Sequence, residues 1–332
     1  MKKLIILIIC LNSLVFANQT VFAWNDKTTH PALTKNTIDF YNLNFETKIS
    51  DEEKEWVIQA SVSEDTPPRW VNHFYDPVYN EGWTGEKGPV GFSEEFMKKF
   101  SDVFLSAKGA VSAIDWVHNQ ELQEKYRLYK GNQTWEKAIY EYVKNKDKKK
   151  AFTALGHVLH LLQDMAVPEH TRNDTHPGDS PLENYSARFD INNFNEVNNL
   201  LNFSAKDFSD LDGYFNDLAN YSNNNFFSKD TILDEKYEKP EIVNEESLFA
   251  YGLNNLVLSG VETIRIKKGN KFEKVKVYNI SESPEHETIL EGYWTRLSRE
   301  AILSGAGVLN LFFQEVERAE EDQSILVEPP ED

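Results

Sequence analysis

A histidine and an aspartate four residues apart, His160 and Asp164, lie in an apolar stretch that runs from Ala151 to His170. Side chains at this spacing share one face of a helix, so an imidazole and a carboxylate would lie side by side. Both groups are common metal ligands. The surrounding leucines predict a buried helix, in which a charged group needs compensation. A hydrogen-bonded His–Asp pair without metal is the alternative interpretation of these two residues.

Further residues of the same ligand types occur before and after this pair. Together they form one candidate set, which contains five of the eight histidines in the chain. The set comprises Trp24, His30, Asp65, His73, His160, Asp164, His170, His176 and Glu183. All of its members offer nitrogen or oxygen donors, which favours zinc over calcium. We therefore predict a zinc site that collects residues from distant parts of the chain.

Residues 1–23 have the features of a secretory signal peptide. A positively charged start precedes an apolar run that is too short to span a membrane. Small residues fit a cleavage site after Ala23, which would make Trp24 the first residue of the mature protein. Cleavage after Ala17 is the alternative. We expect a protein that is secreted to the periplasm or the extracellular space.

Composition and charge narrow the possible functions. We find no internal repeat, linker or Gly-rich phosphate loop, and predict one domain over residues 24–316 with an acidic tail over 317–332. The only cysteine, Cys10, lies in the predicted signal, which leaves no disulfide and no thiol ligand. The formal net charge is −19. So acidic a surface repels polyanions unless cations neutralise it, which argues mildly against long nucleic acid as the substrate.

Helical periodicity dominates the elements that must position these residues. The helix of His160 and Asp164 is predicted to end at Pro168, because proline cannot continue a helix. The run of charges over residues 144–150 is predicted to be a solvated connection. Other helices are predicted within residues 24–41, 51–63, 92–117, 135–143, 211–221, 248–261 and 293–316.

One segment departs from this helical pattern. Residues 263–280 alternate apolar and charged side chains on both sides of Gly269-Asn270, which predicts a β-hairpin. We therefore expect an all-α, multi-helix domain with an inserted β-hairpin near 263–280. One face of the hairpin is basic and carries Lys267, Lys268, Lys271, Lys274 and Lys276. A solvated face is the favoured interpretation of these lysines, and contact with an anionic surface is the alternative.

Three motifs occur in a fixed order: WNDKTTH at 24–30, Asp65 ahead of HFYDP at 73–77, and HLLQDMAVPEH at 160–170. In this combination the sequence resembles the zinc-dependent phospholipase C family, which shares its helical fold with single-strand nucleases. The resemblance covers most of the chain after the signal, except the hairpin. It implies up to three zinc ions at the bottom of a cleft.

The resemblance also implies how the ligands are shared. Trp24, through its free α-amine and carbonyl, and His30 would bind one zinc together with Asp164, whose carboxylate would bridge to a second ion. The remaining ligands of that second ion would be Asp65, His73 and His160.

The third zinc would be bound by His170 and Glu183. Here the sequence departs from the family, because the usual His-x-x-x-Glu has Asp179 in place of the histidine. Either His176, through a rearranged loop, or Asp179 would complete this site. His157 and Asp174 are candidates for supporting the ligands, or are structural.

The implied reaction is hydrolysis of a phosphodiester by metal-activated water, with Asp65 receiving the proton of that water. Trp70 matches a position that contacts the lipid head group, and Lys27 stands where a carboxylate is expected, which suits an anionic head group. We expect a phospholipid or membrane surface as the partner, with nucleic acid second, and infer no protein partner. A nuclease and a noncatalytic zinc-binding secreted protein are the alternative functions.

Overall fold

A computed structural model of the protein describes residues 25–66, 69–84, 110–174, 180–246, 248–268 and 271–330. The described part of the chain is mostly helical. Its α-helices are α1 (Thr29–Asn44), α2 (Asp51–Ser63), α3 (Ala113–Trp116), α4 (Gln120–Glu124), α5 (Trp135–Val143), α6 (Lys148–Asp164), α7 (Pro168–Thr171), α8 (Pro181–Ser186), α9 (Leu211–Asn225) and α10 (Glu287–Glu321). A 3-10 turn, Arg69–Asn72, follows α2.

Local signals explain why several helices begin where they do. Ser50 and Glu53 form a capping box at the start of α2, and the Thr134 hydroxyl accepts a hydrogen bond from the Lys137 N–H at the start of α5. Both helices have the predicted bounds, 51–63 and 135–143. In α6 the Asp147 side chain caps the first turn, so the helix takes in the end of the charged run that was predicted to be a connection.

Pro168 has the opposite role to the one predicted for it. Helix α6 ends at Asp164, and Pro168 is the first residue of the short helix α7. The preceding residue, Val167, is extended, as expected before proline, and the missing N–H of proline costs nothing in the first turn of a helix. His170 therefore lies on a separate helix from His160 and Asp164.

Helices α2 and α6 pack closely because Gly156 lies at their contact. A Cβ atom at this position would lie only 2.4 Å from the carbonyl oxygen of Val57. The close approach brings the C-terminal end of α2, and the residues that follow it, against the histidine-bearing face of α6. The long helix α10 packs across α1, α5, α6, α8 and α9 and completes the core.

Four strands form an antiparallel sheet in the order β1 (Asn244–Glu246), β2 (Phe249–Tyr251), β3 (Val257–Lys268) and β4 (Lys271–Asn279). The predicted hairpin is present as β3 and β4, in a register that pairs Ile264 with Val275. The prediction of an all-α domain with only an inserted hairpin was therefore wrong in part.

The predicted helix over 248–261 was also wrong, because this segment forms β2 and the first part of β3. Asn254 and Asn255 both adopt positive φ, at 56° and 57°, which turns the chain between the two strands. The N–H and C=O groups of this segment then form hydrogen bonds with the neighbouring strands. This long-range pairing outweighs the helix preference that the spacing of the leucines indicates.

The chain ends deviate from the predicted pattern. Helix α10 is longer than the predicted 293–316 at both ends, and the partly buried Leu326 beyond it packs on the core.

Most of the predicted helix 92–117 lies outside the described residues, and α3 is its described part. Residues 1–23, the predicted signal, also lie outside them. Among the described helices, none combines the length and apolar character needed to cross a membrane.

Candidate metal centre

Five of the predicted ligands meet at the contact of α1, α2 and α6. His30 is on the first turn of α1, Asp65 lies just beyond the C-cap residue of α2, and His73 follows the 3-10 turn. His160 and Asp164 are one turn apart on α6. All five side chains are buried. The fold thus brings residues separated by more than a hundred positions into one cluster.

Asp164 is at the middle of this cluster. Its Oδ1 atom lies 3.3 Å from His30 Nε2. Its Oδ2 atom lies 3.0 Å from His73 Nδ1 and 3.4 Å from His160 Nε2. The two oxygens of one carboxylate therefore face different histidines, which is the arrangement that a carboxylate bridging two ions requires.

Asp65 faces the same group from the end of α2. Its Oδ1 atom lies 3.5 Å from His73 Nδ1 and 3.7 Å from His160 Nε2. One donor atom each from His30, Asp65 and His160 lie within 4.8 Å of one another, and so do donors from His73, His160 and Asp164. Zinc ligands at 2.0–2.2 Å in a tetrahedron lie about 3.4 Å apart. The observed spacing is therefore close to that of a coordination shell.

Hydrogen bonds orient the imidazole rings of the cluster. His160 Nδ1 donates to the carbonyl oxygen of Ser61 at 2.6 Å, so its Nε2 atom presents a lone pair to Asp164. His30 Nδ1 donates to Gln163 Oε1 at 2.8 Å, and the Gln163 amide in turn donates to Thr34. Such contacts fix the tautomer and the orientation of metal-binding histidines.

The electrostatics of the cluster call for a positive charge. Both oxygens of Asp65, both oxygens of Asp164 and Nε2 of His160 are buried without a hydrogen bond from the described part of the chain. An unsatisfied buried polar group costs about 1–3 kcal/mol, and more when it is charged. A cation that these nitrogen and oxygen atoms coordinate would remove that cost. The residues therefore fit zinc.

Burial and neighbouring charges shift the pKa values of the cluster in different directions. Burial, together with the neighbouring His160, lowers the pKa of His30 to about 4, so the ring is neutral and able to bind metal at pH 7. Burial opposes ionisation of Asp164, but His160, His30 and His73 hold its pKa well below the ordinary value. Burial raises the pKa of Asp65 well above the ordinary value, and the charge of Asp164 adds to this rise.

The predicted third site is described only in part. His170 on α7 and Glu183 on α8 are both buried, with Nε2 and Oε1 3.9 Å apart. His170 Nδ1 donates to the carbonyl oxygen of His73 at 2.9 Å, which links this pair to the main cluster. His176 and Asp179, the alternatives for completing the site, lie outside the described residues, as does Trp24.

Three aromatic side chains, Phe74, Trp83 and Trp70, form a row that ends at His170. Phe74 stacks on the His170 ring with centroids 4.3 Å apart and planes at 7°. The ring centroids of Trp83 and Phe74 are 6.3 Å apart, and those of Trp70 and Trp83 are 5.9 Å apart. Both tryptophans are half-buried. Trp70, a predicted substrate contact, is thus in a row of aromatic rings that ends at His170. Lys27 is exposed on the turn before α1.

Glu64 is a central residue of the site that the sequence analysis missed. Its Oε2 atom accepts from Arg69 Nε at 2.9 Å and from the Nδ1–H of His157, and its Oε1 atom accepts from Trp116 Nε1 at 2.9 Å. His73 Nε2 lies 3.5 Å from Oε1. Glu64 therefore supports His73 from behind, on the side opposite Asp65 and Asp164. No local pattern signals this role, because its partners lie on three separate segments.

We predict that Glu64→Gln lowers the free energy of unfolding by about 3–5 kcal/mol, because the fully buried Arg69 guanidinium would lose its counter-charge. Zinc affinity should fall by about 10–100-fold as His73 loses its support. Thermal unfolding and competitive zinc titration measure the two effects.

Glu141→Gln is the matched control, since Glu141 is also buried but its cation partner Lys150 is exposed and 3.8 Å away. The control should lose little stability and no zinc affinity. Equal zinc affinity in wild type and the Glu64 variant would contradict a supporting role for Glu64.

No family model matches the sequence, and no curated protein matches it. Among solved structures, the alpha toxin of Clostridium absonum is similar at 15% identity and a TM-score of 0.45, over 88% of this chain. An alpha-toxin of Clostridium perfringens from an avian strain is similar at 12% identity and a TM-score of 0.41, over 89% of it. This chain spans 65% of the length of either toxin.

Proposed function

We propose that the protein is a secreted zinc-dependent phosphodiester hydrolase that acts on phospholipids as a phospholipase C. The position of Asp164 carries this proposal, because its two oxygens face His30 on one side and His73 and His160 on the other. Paired metal ions about 3.5–4 Å apart are a common means of hydrolysing phosphodiesters.

Each part of the cluster has a place in the proposed centre. Trp24, His30 and Asp164 would bind the first ion, and Asp164 would bridge to the second. The other ligands of the second ion would be Asp65, His73 and His160. A third ion would be bound by His170 and Glu183, together with His176 or Asp179.

When bound, zinc polarises the phosphoryl oxygens and lowers the pKa of a bound water to about 7. Asp65 would receive the proton from the attacking water, since both of its oxygens are buried and face the cluster. Ser61 and Gln163 hold the rings of His160 and His30 in place. The mechanism requires no nucleophilic side chain of the protein.

The aromatic row favours a lipid substrate. Trp70 and Trp83 are half-buried beside Phe74 and could contact the head group, as aromatic rings do with quaternary ammonium groups. Lys27, exposed before α1, would instead favour an anionic head group. The two residues suggest different head groups of the same lipid class.

A single-strand nuclease is the second candidate function, because a half-exposed tryptophan pair can also stack on unpaired bases. The net charge of −19 makes a polyanionic substrate less favourable than a lipid. A noncatalytic zinc protein is the third candidate, based only on Asp179 at a position where histidine is expected.

We predict that the zinc-loaded protein releases phosphorylated head groups from mixed phospholipid vesicles faster than it cleaves single-stranded DNA. Parallel assays with the same preparation measure the two rates. Asp65→Asn should abolish the faster activity, whereas Asp115→Asn, an acidic residue on α3 outside the cluster, should retain it. Rapid DNA cleavage without lipid turnover would reverse the order of the two candidates, and no turnover of either would favour the noncatalytic function.

A further inference from the structure

The outer parts of β3 and β4 form an exposed two-stranded element, which we call the ribbon and define as residues 262–268 and 271–276. The root of β3 is buried, and Leu258 accepts a hydrogen bond through its carbonyl oxygen from the Tyr293 hydroxyl of α10 at 2.7 Å. From Glu262 to Lys267 every side chain of β3 is exposed. At about 3.4 Å per residue, this exposed part is about 20 Å long.

Cross-strand pairing gives the ribbon two different faces. Residues directly opposite each other lie on the same face, so Ile264 and Val275 share one face with Ile266. The other face carries Arg265 opposite Lys274, and Lys267 opposite Phe272. The exposed fractions are 40% for Ile264, 40% for Ile266 and 70% for Phe272. The ribbon therefore presents both apolar and basic side chains to solvent.

The charge of the ribbon is opposite to that of the whole protein. Residues 262–276 contain six lysine or arginine residues and two glutamates, in a chain with a net charge of −19. Lys276 pairs with Glu245. Within the described part of the chain, Arg265, Lys267, Lys271 and Lys274 have no carboxylate within ion-pair distance. Most of this positive charge is thus available to a partner.

We propose that the ribbon docks the protein on an anionic lipid surface. Because apolar side chains lie on both faces, the ribbon would enter the head-group region end-on, with Ile264 and Ile266 on one face and Phe272 on the other in contact with lipid. Lysine side chains can then extend their ammonium groups to lipid phosphates. An anionic surface attracts the basic ribbon and repels the acidic remainder, which fixes the orientation of the molecule. The exposed isoleucines favour a lipid surface over nucleic acid as the partner, because lipid can bury these apolar side chains and a phosphate backbone cannot.

The base of the ribbon is adjacent to an element of the candidate metal centre. The chain leaves β4 at Asn279, and Glu282 accepts a hydrogen bond from Asn184 at 2.6 Å. Asn184 directly follows Glu183 on α8. Docking through the ribbon does not depend on lipid hydrolysis, so the inference goes beyond the proposed function.

The test is sedimentation of the zinc-loaded protein with vesicles of phosphatidylcholine alone and with vesicles that also contain phosphatidylglycerol. A Lys267→Gln, Lys271→Gln, Lys274→Gln variant should bind the anionic vesicles on the order of a hundredfold more weakly, because each lysine near such a surface contributes separately. Added salt should weaken binding of the wild type and have less effect on this variant. Phe272→Ser should weaken binding on the order of tenfold.

The matched control neutralises three exposed lysines outside the ribbon, Lys125, Lys144 and Lys149, and should bind anionic vesicles no more weakly than the wild type. All variants should keep the melting temperature of the wild type, since the altered side chains are exposed. Equal vesicle binding by wild type and the lysine ribbon variant would overturn the proposal. So would loss of single-stranded DNA binding in that variant with vesicle binding intact. All of these variants keep the ligands of the candidate metal centre, so vesicle binding is compared at equal hydrolytic activity, and failure of the proposed function would leave the comparison unaffected.

Discussion

Removal of zinc with a chelator is expected to lower the melting temperature by more than about 10 °C. Asp65 and Asp164 are buried in one cluster with His30, His73 and His160, and within the described part of the chain none of the four carboxylate oxygens of Asp65 and Asp164 accepts a hydrogen bond. A bound cation would be their main compensation, and ligand binding to the folded state alone stabilises that state. Differential scanning calorimetry with and without chelator measures the shift.

The loss caused by the chelator should also grow with pH. Burial lowers the pKa values of His73 and His160, but the facing carboxylates, Asp164 above all, raise them above the ordinary value in the metal-free cluster. Protonated rings then stabilise the metal-free fold below about pH 6.5, and this contribution disappears as pH rises through the raised values. Zinc has to displace these protons, so the difference in melting temperature between the zinc-loaded and the metal-free protein should be larger at about pH 8 than at about pH 6.

Zinc added back in excess of the chelator should restore the original melting curve. A melting temperature that the chelator leaves unchanged at both pH values would exclude a structural contribution from bound metal. The buried carboxylates would then be stabilised by protons, as in the hydrogen-bonded His–Asp alternative.

Asp164→Asn is expected to lower the phosphodiesterase rate by at least about 10²–10³-fold. In the wild type, one carboxylate oxygen of Asp164 faces His30 and the other faces His73 and His160. The asparagine amide has only one oxygen, which carries no full charge, so it cannot bridge two metal ions in this way. Zinc content per chain, measured by atomic emission, should fall together with the rate.

Asp76→Asn is the matched control, because Asp76 is equally buried but bonds to Tyr237 and to backbone N–H groups outside the cluster. The folded control should keep its zinc and its rate. If the Asp164 variant retained both zinc content and rate, the proposed bridging role would be wrong and another carboxylate would have to provide it.

The sequence by itself determined the features that depend on near neighbours. A four-residue spacing is enough to place His160 and Asp164 on one helix face, and Ser50 with Glu53 is enough to start α2. Alternation around Gly269-Asn270 likewise predicted the β3–β4 hairpin. Each of these signals acts over a few residues, where backbone geometry alone relates side chains to one another.

The candidate ligand set could be assembled from residue types and motif order, but its geometry could not. Only the family resemblance implied that Asp164 lies between His30 on one side and His73 on the other, and residue spacing alone does not indicate which oxygen faces which histidine. That arrangement depends on how closely α2 approaches α6, which Gly156 permits through a contact with Val57. Packing between helices, rather than the pattern within either, decides it.

Tertiary structure alone decided the residues that support the ligands and the extent of the sheet. Glu64 meets Arg69, Trp116 and His157, and these partners become neighbours only after α2, α3 and α6 have packed. Residues 248–261 carry leucines at helical spacing, yet they form strands because β1 and β4 offer hydrogen-bonding edges to them. A local preference amounts to a few tenths of a kcal/mol per residue, and long-range pairing or burial of a charge outweighs it.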